Sequence, residues 1–246
     1  MKVIVFDLDG TLINGKNEVI GGEKTIQLLH KLQSLDYKLA ICTGRLDHDI
    51  VAINDKFQLG IDERISQNGA VFYQGNHQEA NLLKTSTALK VNQLLDRFPV
   101  RVEMNTISNR YWKSPRDPDF PKEFYDSSII REDFSSVIPY QPIVLFLIVG
   151  DHESLKEVQM IVKENIKDVD AIFTSQTSLE IVSQHVSKGE AVHTMYPDAK
   201  IYAIGDSESD LSMKKYADRF FYIGHDKSGV ENVVDIYQAL KMIVEE

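Results

Sequence analysis

Two aspartates one residue apart close the first apolar run of this chain, Val3-Ile4-Val5-Phe6-Asp7-Leu8-Asp9-Gly10-Thr11-Leu12. The run suits a buried strand, which sets both carboxylates where that strand exits. Period-two alternation directs Asp7 and Asp9 to one side. Carboxylates so close repel, unless a cation lies between them or one holds a proton. Gly10 lets the backbone turn with no side chain in the way. An Asp-Gly turn accounts for Asp9 and Gly10 but not for Asp7, a charge at the mouth of an apolar strand.

Three other places supply matching chemistry. The short strand Leu39 to Cys42 ends in Thr43-Gly44-Arg45, which offers a hydroxyl and close backbone approach. Lys188 is a point positive charge at an expected helix start, where a phosphate also meets free backbone N–H groups. The strand Ile201 to Ile204 ends in Gly205-Asp206-Ser207-Glu208-Ser209-Asp210. Carboxylates from two strands plus backbone oxygens suit Mg²⁺, a hard cation that prefers oxygen ligands. Together these make a nucleophilic carboxylate, a second carboxyl for proton transfer, a metal, a lysine and a hydroxyl. That set fits phosphoryl transfer through a covalent aspartyl phosphate.

The elements around these residues must bring them together. Strand and helix alternate at the start: Ile26, Leu29, Leu32 and Leu35 form one helical face, and a second helix is expected from Asp47 to Phe57. Such alternation predicts a parallel sheet with crossovers, whose ligands bind beyond the carboxyl ends of the strands. Asp7, Thr43 and Asp206 would all lie there. Between about Asn81 and Val182 the rhythm changes. A helix is expected over Leu89 to Phe98, strands over Val100 to Asn105 and Ile143 to Val149, and an irregular, proline-rich stretch from Tyr111 to Pro121. The alternation returns after Lys188. A helix follows near Asp210, with Ser209 or Ser207 as its cap, then a last strand, Phe220 to Ile223.

Bulk properties narrow the reading. The chain has 246 residues, 43% of them hydrophobic, enough for a large core. A net charge of −10 argues against nucleic acid or an acidic membrane surface as main partner. The single cysteine, Cys42, cannot form an internal disulfide, and the expectation is a cytoplasmic protein. The longest uninterrupted apolar run, Ile143 to Val149, is far short of the ~20 residues of a membrane helix. No GxGxxG follows the first strand and no HExxH is present, so dinucleotide-binding and zinc-hydrolase readings have no support.

The motifs Asp7-Leu8-Asp9-Gly10-Thr11-Leu12, Thr43-Gly44-Arg45, Asn68-Gly69-Ala70, Ser187-Lys188-Gly189 and Gly205-Asp206 through Asp210, in this order, resemble a haloacid dehalogenase (HAD) superfamily phosphatase. The resemblance is to the Cof-like, sugar-phosphate phosphatase subgroup. It implies an α/β fold: a doubly wound, Rossmann-like core over residues 1–80 and 183–246, with an α+β cap inserted at 81–182. It implies that Asp7 attacks phosphorus, that Asp9 protonates the leaving alcohol and then helps a water, and that Thr43 and Lys188 hold phosphoryl oxygens. Mg²⁺ would take the Asp7 carboxylate, the Asp9 carbonyl and Asp206, with Asp210 and Ser209 behind them. Leu8, Gly44 and Arg45 are expected at the phosphate. Ser209 stands where the family usually has asparagine, and Tyr222-Ile223-Gly224-His225-Asp226 departs from the family's last loop.

The partner expected is a small phosphorylated metabolite, a sugar phosphate or phosphorylated cofactor. In the cap, Arg110, Lys113 and Arg116 flank Trp112 and are candidates for the substrate's polar end, with the indole free to stack on a sugar. A solvated loop with a partly buried tryptophan is the plainer alternative. A phosphomutase would use the same nucleophile, and a phospho-binding regulator without turnover is the non-enzymatic rival.

Overall fold

A computed structural model of the chain describes residues 1–114, 128–225 and 227–246. In chain order the first elements are β1 (Lys2–Phe6), α1 (Glu23–Ser34), β2 (Tyr37–Cys42), α2 (Asp47–Phe57), β3 (Glu63–Ser66), β4 (Val71–Gln74) and β5 (His77–Ala80). Next come α3 (Thr85–Leu95), β6 (Arg101–Thr106), β7 (Arg110–Trp112), β8 (Ser128–Ile130), β9 (Ile143–Val149), α4 (His152–Asn165), β10 (Val169–Ser175) and β11 (Ser178–Ser183). The chain closes with α5 (Lys188–Met195), β12 (Lys200–Gly205), α6 (Leu211–Lys214), β13 (Arg219–Ile223), β14 (Glu231–Val233) and α7 (Ile236–Val244).

Two compact units result, Met1–Glu79 with Ser187–Glu246, and Ala80–Val186. The first is doubly wound. Its sheet runs β14-β13-β12-β1-β2-β3-β4-β5, and β1 pairs in parallel with both β12 and β2. Alternation along β1 sends Ile4 and Phe6 to one face, against Leu29 and Leu32 of α1, Ile50 and Ile53 of α2, and Leu240 of α7. It sends Val3 and Val5 to the other, against Val192 and Met195 of α5 and Met213 of α6. Strand β1 is therefore buried on both sides, which is why it reads as continuously apolar.

The second unit is an α+β cap: a six-stranded sheet, β10-β11-β9-β6-β7-β8, with α3 and α4 packed on one face through Val91, Leu95, Leu155 and Val158. Its return boundary lies at Val186 rather than 182. Gln184 and His185 are still tied to the cap, by Gln184 Nε2 to the Lys167 carbonyl (2.5 Å) and His185 N to Asp170 Oδ2 (2.9 Å).

Several local expectations need correction. Helix α3 begins at Thr85, not Leu89, because Ala88 extends the buried stripe of Val91 and Leu95 one turn earlier. Tyr111 and Trp112 are not irregular. They belong to β7, which pairs with β6 in the register Met104↔Tyr111 and Glu103↔Trp112. The short strands β4, β5 and β14 carry too few residues for a periodic signal, and two of them close the sheet edges.

Candidate active site

Asp7 lies one residue beyond β1, and its N–H donates to the Ile204 carbonyl (3.0 Å), so the β1–β12 ladder carries it to the sheet's carboxyl edge. Its carboxylate is buried, and Lys188 Nζ donates to Asp7 Oδ1 at 2.7 Å. The same nitrogen donates to Asp210 Oδ1 at 2.6 Å. Lys188 is the first residue of α5, whose start is capped by Ser187 Oγ accepting from Glu190 N (3.1 Å). Gly69 and Gly189 let neighbouring chains approach: a Cβ on Gly69 would strike the Ser187 carbonyl, and one on Gly189 the Ser212 carbonyl.

Burial dominates the electrostatics. It pushes the Asp7 carboxyl up to about 8, although the Lys188 ammonium opposes the shift. Lys188 is held above its ordinary range, its burial outweighed by the Asp7 and Asp210 carboxylates. The result is a firmly protonated lysine beside a carboxyl that burial makes reluctant to ionise.

Asp206 follows β12. Its Oδ1 accepts from Thr11 Oγ1 (2.9 Å), and Gly10, at φ +76°, leaves the space that a Cβ would take from its carboxylate. Asp7, Asp206 and Asp210 offer carboxylate oxygens within 4.8 Å of one another. They are not equivalent. Asp210 is saturated: beyond Lys188, its Oδ2 accepts from Asp206 N (3.1 Å), Ser207 N (2.9 Å) and Ser207 Oγ (2.6 Å). Asp7 and Asp206 each keep a second oxygen for a cation. Hard oxygen donors at this density could hold a divalent metal ion, Asp7 and Asp206 through their carboxylates and Asp210 by supporting the loop.

Asp9 differs from Asp7 in burial and in partner. The strand ends at Phe6, and beyond it the backbone turns back through a bridge between Asp9 and Ile13. Asp7 is buried on Lys188, whereas the Asp9 side chain is 51% exposed and forked by Arg45, Nε to Oδ2 at 2.8 Å and NH2 to Oδ1 at 2.5 Å. Each aspartate thus has its own cation. For Arg45 a phosphate contact and an ion pair were both in view, and its fork lies on the Asp9 carboxylate.

Thr43 is buried at the end of β2. Its N–H donates to the Ile65 carbonyl (2.9 Å) and its carbonyl accepts from Asn68 N (3.0 Å). Gly44 is exposed beside the Asn68 side chain, and Leu8 is fully buried in the core. Ser209 shares a hydrogen bond with Ser207 Oγ (2.9 Å), and the first turn of α6 has no side-chain cap; Asp210 stands at that position and spends its carboxylate on the loop. Ser207 and Thr11 were not singled out for the site. The signal for Ser207 was its place three residues before Asp210, the spacing of a local side-chain-to-backbone turn.

The cap candidates are placed differently from expectation. Arg110 is buried in β7 and ion-paired with Glu103 (3.4 Å). Trp112 is 1% exposed, with the Arg101 guanidinium 4.4 Å from its ring centroid. Lys113 pairs with Asp96 and lies over Phe134. All three have partners within the cap: Arg110 and Trp112 because β7 pairs with β6, and Lys113, just past β7, through Asp96 and Phe134. Arg116 lies outside the described residues. No helix among the described residues is long and apolar enough to cross a membrane.

The model of the haloacid dehalogenase-like hydrolase family matches residues 4–238. The chain is similar to a Bacillus subtilis 5-amino-6-(5-phospho-D-ribitylamino)uracil phosphatase, YwtE, at 25% identity over 96% of this chain and 89% of that one. Its fold is similar to a haloacid dehalogenase-like hydrolase from Bacteroides thetaiotaomicron (TM-score 0.83, 22% identity, 98% of this chain and 99% of that one). It is also similar to the subclass IIB sugar phosphatase BT4131 (TM-score 0.81, 18% identity, 99% of each chain).

Proposed function

This chain belongs to the haloacid dehalogenase-like hydrolases and is a phosphatase, and we propose that it hydrolyses a small phosphomonoester, a sugar phosphate or phosphorylated cofactor, with Mg²⁺. The observation that carries the proposal is the buried Lys188 ammonium bridging Asp7 and Asp210 beside Asp206. Names of relatives support the substrate class: one acts on a phosphorylated ribitylaminouracil, another is a sugar phosphatase.

In this reading the Asp7 carboxylate attacks phosphorus, forming an aspartyl phosphate as the P–O bond to the leaving alcohol breaks. Asp9 gives that oxygen its proton. It then takes a proton from a water, which attacks phosphorus, releases inorganic phosphate and restores Asp7. Lys188 and the Thr43 hydroxyl donate to the phosphoryl oxygens as charge builds. Asp7, Asp206 and the Asp9 carbonyl would hold Mg²⁺. When bound there it supplies positive charge that lets a buried carboxyl and a phosphate dianion meet.

The test is phosphate release over a panel of phosphomonoesters, with Mg²⁺ and with excess chelator. Activity lost on chelation and regained with Mg²⁺, with sugar or cofactor phosphates foremost, is expected. Full activity in chelator would remove the metal, and phosphate returned to another carbon of a hexose phosphate would make the enzyme a mutase.

A further inference from the structure

Asp9 poses a positioning problem. It is half-exposed, it lies past the end of β1, and Gly10 at φ +76° follows it. A carboxylate in that setting samples several rotamers, and proton transfer tolerates few of them.

Arg45 answers the problem with three anchors. Its backbone N–H donates to Thr43 Oγ1 (3.2 Å), and its carbonyl accepts from Gln67 N (2.9 Å). Its side chain, 11% exposed, reaches both oxygens of Asp9, and NH2 also donates to Asn17 Oδ1 (2.9 Å). Asn17 sits in a turn closed by its N–H to the Asn14 carbonyl (2.9 Å), at φ +54°, and its own carbonyl accepts from Lys56 Nζ of α2 (3.2 Å). The guanidinium is therefore fixed from the β2–α2 loop on one side and from the turn after Asp9 on the other. A planar fork held in that way fixes the plane of the carboxylate it grips.

We propose that Arg45 is the positioning residue of Asp9: its fork, anchored by Asn17, orients the carboxylate that serves the leaving-group oxygen. The inference rests on Asp9 being the proton donor. Phosphate binding by Arg45 would be a different role, and the two separate by leaving group. 4-Nitrophenolate departs without a proton, whereas an alkoxide needs one, so a misplaced acid harms alkyl esters selectively.

The experiment measures kcat/KM for 4-nitrophenyl phosphate and for glycerol 3-phosphate. It uses wild type, Arg45→Ala, Arg45→Lys, Asn17→Gly and Asp9→Asn, with a thermal melt of each. Glycine suits the positive φ at position 17, so Asn17→Gly removes the anchor and keeps the fold. Arg45→Ala should lose at least about tenfold more on the alkyl ester than on the aryl ester, a share of the 10²–10⁴ that acid catalysis supplies. Arg45→Lys should fail to restore the ratio, because a point charge cannot fork. Asn17→Gly should shift it in the same direction by less. Equal losses on both esters, or a rise confined to KM, would overturn the positioning role. If Asp9→Asn discriminates between the esters and Arg45→Ala does not, only this inference falls; if Asp9→Asn does not discriminate, the acid assignment falls with it.

Discussion

Lys188 Nζ donates to Asp7 Oδ1 at 2.7 Å across 181 residues of chain, joining the start of the molecule to its last third. The contact is buried, and the same ammonium is shared with Asp210. A lysine so placed lowers the cost of a buried carboxylate, but it does not remove it. Asp7 still rests above the ordinary carboxylate range. With Lys188 the shared cation, the site is about one positive charge short if two of Asp7, Asp206 and Asp210 are ionised and about two short if all three are. That deficit is the physical reason to expect a divalent cation there.

Removing the proposed nucleophile should separate chemistry from folding. Asp7→Asn is expected to release no phosphate, because a neutral amide is a poor nucleophile and metal ligand. Its stability should follow a definite sign. Burial raises Asp7 to about 8 in the folded chain, so the native metal-free protein binds a proton that the unfolded chain releases at lower pH. The stability from this group is full below the unfolded carboxylate range and is lost as pH climbs through about 8. The metal-free asparagine variant should therefore gain on wild type between about pH 5 and pH 9 in denaturant melts. A wild type that gains stability on the variant over that range would contradict the direction.

Loss of the shared cation is a harsher change. Lys188→Met leaves Asp7 and Asp210 buried together without it. We expect kcat to fall by about 10²–10³ or more, as when a charge-stabilising donor is removed. A readily measurable drop in melting temperature should accompany it. Adding Asp210→Asn to this variant should recover part of the stability and none of the activity. A double variant no more stable than the single one would argue against the charge account.

Asp210 acts through the loop it organises. Asp210→Asn keeps the shape but gives up acceptors for Asp206 N, Ser207 N and Ser207 Oγ. Mg²⁺ affinity, measured by calorimetry, should weaken about 10- to 100-fold as Asp206 loses its support. An unchanged affinity would mean the loop holds its shape without that carboxylate.

In the cap, Trp112→Ala should cost about 3–5 kcal/mol in stability, as for large buried aromatics elsewhere. Lys113→Ala, removing a partly exposed ion pair, should cost under about 1 kcal/mol. Chemical denaturation of both variants checks the contrast, and similar losses would refute the burial-based ranking.

Much of the candidate site's placement was legible in the residues alone. Asp7, Thr43 and Asp206 each follow a short apolar run, and a parallel sheet gathers such ends at one edge whatever the details of packing. Composition and period also marked the change of rhythm near Asn81 and its return at Lys188, because α/β alternation and an α+β unit bury their strands differently. What tertiary structure alone decided was which charge meets which. Strand alternation could not anticipate that Asp7 meets Lys188 while Asp9 meets Arg45, since β1 ends at Phe6 and the backbone turns after it. Arg45 lies 36 residues from Asp9, and only the β1–β2 pairing brings their loops together. The cap strand at Arg110–Trp112 was hidden by three residues too few to show a period beside a proline-rich tract, and its partners on β6 come from the strand order. Local sequence thus set the chemistry available at each strand end, while long-range pairing chose the partner, because side-chain electrostatics act over ångströms and the chain distances between these groups span much of the molecule.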